Sequence, residues 1–296
     1  MDDALETGQA SDVYLPPGTI LGDRYELCEL LGRGGMGEVY RAYHLFLRRQ
    51  VAVKIVAGEW SRHPRMLQRF QSEVRRTAAI AHPNVVQILD ADILDPSRIF
   101  LVMELLRGET LSNYIARKRA LSLDRALMII REVARGLRAA HLAEIIHRDV
   151  KPANVMLARC GGDQLIKLFD FGLSADHLGG EPPLTVPGTP VGTPLYMAPE
   201  QIDGHRPTPR IDVYALGELL FEMLAGCPPF SGSTPEAIYA RKRAGPPPSI
   251  AHYRSDVPQQ LVALIQQCLA RDPAERPADA GVFLRCLRDS VVPVPF

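Results

Sequence analysis

The chemistry in this sequence concentrates in two short stretches. Ile146-His147-Arg148-Asp149-Val150-Lys151-Pro152-Ala153-Asn154 is followed, one hairpin later, by Phe169-Asp170-Phe171-Gly172. Moving a phosphoryl group requires metal ions on the phosphate oxygens and a group that orients the attacking hydroxyl. Mg²⁺ is a hard cation that takes one or two protein oxygens and completes its shell with phosphate and water, and Asn154 and Asp170 supply such oxygens. Asp149 would then accept or orient the hydroxyl proton, and Lys151 would neutralise charge on the phosphate in transfer. A single Asp or Asn in a loop is usually a turn or cap residue. The joint spacing of the two stretches is what makes the chemical reading the stronger one.

A third stretch sits far upstream. Leu31-Gly32-Arg33-Gly34-Gly35-Met36-Gly37-Glu38-Val39 contains GxGxxG, whose glycines let backbone amides approach phosphate oxygens closely. Alone it fits a flexible loop or a dinucleotide-binding turn equally well. A dinucleotide site would run on into a helix. Here Glu38 to Ala42 continues as a strand, and a second strand follows over Gln50 to Val56, so a glycine-rich hairpin over a nucleotide is favoured. On the second strand Ala52 and Lys54 share a face, one small enough to lie on a flat base and the other long enough to reach a phosphate. Glu73, on the following helix and aligned with Met66, Phe70 and Thr77, is either a solvated glutamate or the partner of Lys54.

Lysine itself is informative. The chain has 29 arginines and five lysines, at 54, 118, 151, 167 and 242. Where either cation serves, arginine has been used, so the remaining lysines are enriched where a compact ammonium matters.

These residues need a scaffold. The 296 residues suffice for one large domain or two coupled lobes, with 46% hydrophobic and 23% charged residues, ordinary for a globular protein. Acidic and basic residues balance at 34 each, so no overall field recruits nucleic acid or an anionic membrane. Five scattered cysteines without a CxxC pair argue against a zinc site or a disulfide framework and for a reducing compartment. The most apolar stretch, Ile211 to Ala225, is broken by Asp212, Glu218 and Glu222 and has helical periodicity, so no membrane span is expected. The acidic, polar first residues do not read as a signal peptide. The expected location is cytoplasmic.

Residues 1–20 read as a flexible leader ending in Pro16-Pro17-Gly18. Residues 21–104 read as a strand-rich lobe, with short β runs at 38–42, 50–56 and 99–103 and one helix from Pro64 to Ala81. Residues 105–288 read as a larger helical lobe with helices at 123–143, 211–225, 257–269 and 279–288, and 289–296 as a tail. Between the first two of these helices, residues 145–209 form a long irregular region, a length that argues for function. The expected fold class is α+β, bilobal, with a small β-rich lobe and a mostly helical one.

With these motifs in order, the chain resembles the eukaryotic-like protein kinase family over roughly Tyr25 to Leu287. The resemblance extends to Ala198-Pro199-Glu200, to Asp212 in Ile211-Asp212-Val213-Tyr214 and to Arg276 in Asp272-Pro273-Ala274-Glu275-Arg276-Pro277. Lys151 and Thr193 resemble the serine/threonine subgroup. The Gly34-Gly35-Met36-Gly37-Glu38-Val39-Tyr40 loop and the Gly192 to Glu200 run are most similar to bacterial members. This resemblance implies transfer of the ATP γ-phosphate to Ser or Thr of protein substrates, with Mg²⁺ as cofactor and Mn²⁺ as a second candidate. It implies that Leu31 to Val39 and Lys54 bind ATP, that Val39, Ala52 and Met156 sandwich adenine, and that backbone groups of Glu104 and Leu106 bond its edge behind a gatekeeper at Met103. It further implies a Lys54–Glu73 ion pair in the active state and a Glu200–Arg276 pair.

The same resemblance bears on regulation. The segment Asp170 to Glu200 carries Ser174, Thr185, Thr189 and Thr193, and an arginine such as Arg148 often receives a phosphate there. Autophosphorylation is expected at Thr185 or Thr189, with Thr193 a structural contact to Asp149 and Lys151; self-association is a candidate route to it. Prolines at 182, 183, 187, 190 and 194 stiffen the segment, and Thr77 is less apolar than the residue common at its place, which would loosen that helix. Two other readings compete. A nucleotide-binding scaffold without chemistry would lack Lys54, Asp149, Asn154 or Asp170, and all are present. A kinase of small molecules would generally lack the Ala198-Pro199-Glu200 segment and its arginine.

Overall fold

The computed structural model describes residues 14–34, 37–57, 64–95, 97–171 and 194–291. Its first half is an antiparallel sheet of order β1-β2-β3-β4-β6-β5, built from β1 (Ile20–Leu21), β2 (Tyr25–Gly34), β3 (Gly37–His44), β4 (Arg49–Ala57), β5 (Ile88–Asp95) and β6 (Arg98–Glu104). Alternation along these strands separates two apolar faces. One face gathers Leu21, Tyr25, Leu27, Tyr40, Val53 and Phe100. The other gathers Val56, Ile99 and Leu101 against Phe70 and Val74 of α1 (Pro64–Ala78).

The sequence assigns residues up to 20 to a flexible leader, yet Leu15 N–H donates to the Tyr40 hydroxyl at 3.2 Å and Gly18 N–H to Leu27 O at 2.7 Å. The Tyr14 ring lies 6.3 Å from that of Tyr40. Aromatic contact and backbone pairing therefore fasten residues 14–20 to the sheet. At the other end, the last helix runs to Val291, so residues 289–291 of the expected tail are helical.

The second half is helical. A small sheet, β7 (Gly108–Thr110), β8 (Val155–Cys160) and β9 (Asp163–Leu168), lies beside α2 (Leu111–Lys118) and α3 (Leu123–Leu142). Then come α4 (Pro199–Ile202), α5 (Arg210–Ala225), α6 (Pro235–Ala244), α7 (Gln259–Cys268) and α8 (Ala280–Val291). Ser122 caps α3, accepting from Arg125 N–H, and Gly226 ends α5 at φ +77°, where a left-handed residue closes the last turn. Helix α5 is buried almost all round, from Ile211 to Leu224, and forms the axis of this lobe. At Gly217 an added Cβ would stand 2.7 Å from Cys268 Cβ, so glycine lets α7 approach. The irregular region expected over 145–209 is partly ordered: the β8–β9 hairpin lies inside it, since its Asp and Gly residues occupy the hairpin turn and its flanks while Val155, Leu157, Ile166 and Leu168 are buried.

Two straps join the halves. One runs through Glu104 to Arg107. The other is His82 to Gln87, held to the large lobe by Asn84 Nδ2 to Ile166 O (2.8 Å), Val86 N–H to Leu168 O (2.9 Å) and Leu168 N–H to Asn84 O (2.9 Å). Gly136 of α3 makes room for it, because a Cβ there would lie 2.8 Å from Asn84 O.

Candidate active site

The loop from His147 to Asn154 is fixed from below by one carboxylate. Asp212, in the first turn of α5, accepts the Arg148 backbone N–H on Oδ1 at 2.9 Å. Its Oδ2 accepts the His147 backbone N–H and faces His141 Nε2, each at 2.9 Å. Burial alone would raise the Asp212 pKa, but the bonds and charge from His141 and His147 outweigh it and hold it below the usual carboxylate range. Arg148 thereby keeps φ +68°, a left-handed conformation costly for a side-chain-bearing residue unless its surroundings impose it. His147 is fully buried. Its Nδ1 accepts the Asp149 N–H at 3.3 Å, so Nε2 carries the proton to Phe169 O at 3.0 Å, and its ring lies 4.5 Å from that of Phe171.

On this support Asp149 is 8% exposed and crowded by donors. Lys151 Nζ lies 2.7 Å from its Oδ2, and Asn154 Nδ2 donates to the same oxygen at 3.0 Å and to Asp149 O at 2.8 Å. Because the Asn154 amide turns its NH₂ to Asp149, its oxygen remains as the acceptor. The one-turn 3₁₀ helix Pro152–Asn154 sets that orientation, and Phe169 N–H donates to Asn154 O at 3.1 Å, tying the second motif to the first. Asp170, at φ +58°, is reached by Lys54 Nζ at 2.8 Å. Thus Lys54, Asp149, Lys151, Asn154 and Asp170, scattered along the chain, converge between the two lobes.

The strand register explains the upper wall. Val39 pairs with Lys54, and Ala52 sits between Arg41 on one side and Met103 on the other. Ala52, Val86, Ile88 and Met103 form one apolar cluster, with Leu106 and Phe169 packed on it. Val39 and Met156 are half-buried on β3 and β8. A narrow pocket beyond Met103 is lined by Lys54, Thr77, Ile88, Asp170 and Phe171. Gly32 faces Val39 and Gly34 faces Gly37 in the hairpin. Gly37 has φ +117°, and a Cβ there would meet Ile55 O at 1.9 Å. Leu31 is exposed, and Arg33 Nε pairs with Glu38 Oε1 across the hairpin at 2.8 Å. The Glu104 carboxylate accepts Lys167 Nζ at 2.5 Å and Gln87 N–H at 2.8 Å, so this side chain braces the strap. Gly35, Met36, Ser174, Thr185, Thr189 and Thr193 lie outside the described residues.

The Lys54–Glu73 pair that the resemblance implies for the active state is not formed in this structure. Lys54 is bound to Asp170 instead. Glu73 is 9% exposed; burial raises its carboxyl pKa, opposed mainly by Arg148 and then Arg76. This carboxylate therefore stands in the field of Arg148 and, more weakly, of Arg76. Thr77, expected to loosen this helix, lines the narrow pocket beside Lys54 and Phe171. This residue is 2% exposed, and its hydroxyl donates to Glu73 O at 2.9 Å, satisfying its polar group inside the helix.

Glu200 and Arg276 form a bidentate pair, Nη1–Oε1 2.6 Å and Nη2–Oε2 2.9 Å. Residues missed in the sequence include His141, whose partner Asp212 is too distant in the chain to suggest it, and Lys242, hidden in the cationic run Arg241-Lys242-Arg243. Among the described residues no group of three or more His, Cys, Asp or Glu is arranged around a metal. No described helix is long and apolar enough to cross a membrane. A concavity of about 340 Å³ between α1 and β5 contains none of the residues converging on Asp149.

Comparison with known proteins agrees with this geometry. The family described as "Protein kinase domain" matches residues 25–287. The chain is 36% identical over 270 residues to serine/threonine-protein kinase PknA of Mycobacterium tuberculosis, covering 90% of this chain and 61% of that protein. It is 38% identical over 261 residues to PknB of Mycolicibacterium smegmatis, covering 86% and 41%. It therefore spans less than two thirds of these relatives. The crystal structure of the Mycobacterium tuberculosis PknI kinase domain superposes with a TM-score of 0.73 at 28% identity, over 94% of this chain and all of that one. On the family match, the relatives and the two-lobed fold together, the chain belongs to the protein kinase domain family.

Proposed function

We propose that this chain transfers the γ-phosphate of ATP to serine or threonine hydroxyls of proteins. The observation that carries this reading is the setting of Asp149, whose Oδ2 is shared by Lys151 and Asn154 while Asp170 is held by Lys54 across the cleft. The acceptor oxygen forms the new bond to γ-phosphorus as the bridging oxygen to the β-phosphate leaves, and the hydroxyl proton passes to Asp149. Lys151 offsets charge on the transferred group, and Lys54 is placed for the other phosphates. Asn154 and Asp170 offer hard oxygens that fit Mg²⁺ or Mn²⁺, which would neutralise the phosphates when bound. Gly32 to Gly34 and Gly37 to Val39 would cover the phosphates, and Ala52, Val39 and Met156 would supply apolar surface for the base, with the Glu104 and Leu106 backbone at its edge.

Activation by autophosphorylation belongs to the same reading. Burial raises the Glu73 pKa, and the charge of Arg148, ahead of that of Arg76, opposes the rise. A phosphate at Thr185 or Thr189 would compete for Arg148 and free Glu73 to move to Lys54. The relatives' names support serine/threonine specificity, and the free thiols of Cys28, Cys227, Cys268 and Cys286 support a cytoplasmic setting for this domain.

Incubation with radiolabelled ATP, Mg²⁺ and a generic basic protein tests the transfer. Label on serine or threonine, lost in Asp149→Asn, is the expected result. Label only in a small molecule, or equal label in the variant, removes the reading. Mass spectrometry of protein produced with and without Asp149→Asn tests self-modification, and equal phosphate occupancy in both would rule it out.

A further inference from the structure

Lys242 is one of the five lysines of an arginine-rich chain and does nothing in the chemistry above. It lies on α6, 1% exposed, a rare place for an ammonium. Its Nζ donates to Leu195 O and Met197 O, each at 2.7 Å, and stands 2.8 Å from Glu218 Oε1 of the wholly buried Glu218 on α5. Two hydrogens of the ammonium therefore go to backbone carbonyls, and its charge faces a carboxylate. The rings of Tyr214 and Phe230 close the site, with centroids 5.1 and 5.8 Å from Nζ. The Glu218 contact is ionic, since neither carboxylate oxygen has a hydrogen-bond donor in good geometry.

Burying two charges is unfavourable compared with an apolar pair of the same shape. What the ammonium supplies in return is two hydrogen bonds to backbone carbonyls of a short, non-repeating segment. Leu195 and Tyr196 lie in the 3₁₀ turn Pro194–Tyr196, and Met197 leads into α4. The planar five-donor fork of arginine does not match three converging acceptors, which accounts for a lysine surviving here. The segment has a second tether: Gln201 Nε2 donates to Arg148 O at 3.1 Å, immediately before Asp149. The Tyr196 hydroxyl also donates to Glu222 Oε2 at 2.7 Å. The Gln201 bond sets residues 195–201 beside the residue that precedes Asp149.

We propose that Lys242 is a positioning residue for the protein substrate, its ammonium holding the carbonyls of Leu195 and Met197 so that this segment forms a fixed wall for the acceptor peptide. The inference rests on the protein-kinase reading and names a determinant of how the peptide binds. Lys242 touches neither nucleotide nor reacting atoms, so its loss raises the KM for peptide while sparing the KM for ATP.

The decisive variant is Glu218→Gln/Lys242→Met, which removes both charges and leaves no buried ion unpaired. If the pair served only packing, this double variant would behave as the wild type. The expected result is about a tenfold higher peptide KM, consistent with two carbonyls losing their donor, with ATP KM and kcat within about twofold. Amide hydrogen exchange over 194–203 should rise while α5 stays protected. Glu218→Gln alone strands the buried ammonium and should lower the unfolding midpoint, yet it keeps both carbonyl bonds of Lys242, so peptide KM and exchange over 194–203, read where the variant is fully folded, should stay at wild-type values. Wild-type peptide KM and exchange in the double variant, or an ATP KM rising in step with that for peptide, overturns the proposal. A wild-type protein that labels no peptide refutes the kinase reading instead. The exchange comparison then still decides whether Lys242 holds the segment.

Discussion

Arg276→Met is the most quantitative perturbation the structure offers. The guanidinium of Arg276 has all five N–H groups engaged: Nε to Ala270 O at 2.8 Å, Nη1 to Glu200 Oε1 and Arg210 O at 2.6 and 3.4 Å, and Nη2 to Glu200 Oε2 and Arg271 O at 2.9 and 3.0 Å. It also stacks 4.7 Å from the Tyr214 ring centroid, and its side chain is fully buried. Removing it strands the Glu200 carboxylate, 9% exposed at its side chain, and three carbonyls. Breaking one half of a buried pair costs about 3–5 kcal/mol, because the remaining charge keeps its desolvation penalty. For a domain of this size that corresponds to a melting point lower by roughly 6–20 °C. Arg276→Lys retains charge but at most three donors, so it should fall between, with a loss of about 2–3 kcal/mol. Glu200→Gln/Arg276→Met, which leaves no lone ion, should recover a substantial part of the loss. Urea unfolding followed by tryptophan fluorescence and circular dichroism measures all of these. A loss below about 1 kcal/mol for Arg276→Met, the range of a solvent-exposed pair, would refute the claim that this bridge is desolvated and structurally decisive.

Other consequences are open to the same kind of test. Lys54→Met should lower phosphate transfer by about 10²-fold or more, with unfolding little changed; comparable transfer by variant and parent would show that Lys54 does not act on phosphate. Gly37→Ala forces a Cβ into Ile55 O at φ +117°, so the hairpin must shift and nucleotide affinity, read by titration with a fluorescent ATP analogue, should weaken about tenfold or more; unchanged affinity would mean that the loop does not cover the nucleotide. Burial lowers the His147 pKa, against the opposing pull of Asp212 and Asp149. The folded state then binds its proton less readily than the unfolded chain, so the stabilisation is full above about pH 6.5 and is lost as pH falls from there toward the folded value. Denaturant midpoints measured from pH 7.5 to 5.5 should decline, and His147→Phe should flatten that part of the profile; an equal slope in both would exclude this histidine as the source.

What the sequence conveyed follows from how local each signal is. The glycine hairpin, the Ala52–Lys54 strand and helix α3 were legible because alternation and 3.6-residue periodicity are written into neighbouring residues. Strand β5 was not, because Ile88-Leu89-Asp90-Ala91-Asp92-Ile93-Leu94-Asp95 carries aspartates that disfavour strands; at the sheet edge their side chains reach water and Arg24. Helix α6 could have been found from Thr234-Pro235-Glu236, a capping residue followed by proline and an acid, but the Arg241-Lys242-Arg243 run resembles a solvated surface. The placement of Glu73 was beyond reach for another reason. Its residue type fits either Lys54 or Arg148, and the choice depends on how α1 is turned against the sheet, a property of the whole lobe.

The paired straps described above bear on how the molecule can move. Two bodies connected along a pair of separate bridges share an axis through both, as a door does through its hinges. Sliding and twisting of the small lobe would stretch Asn84 away from Ile166 and Leu168, whereas nodding about that line leaves those bonds intact. On the proposed reading, opening and shutting over a nucleotide would follow chiefly that one motion. A change at Gly136 or Asn84, far from any phosphate, should register first in how fast spent nucleotide departs.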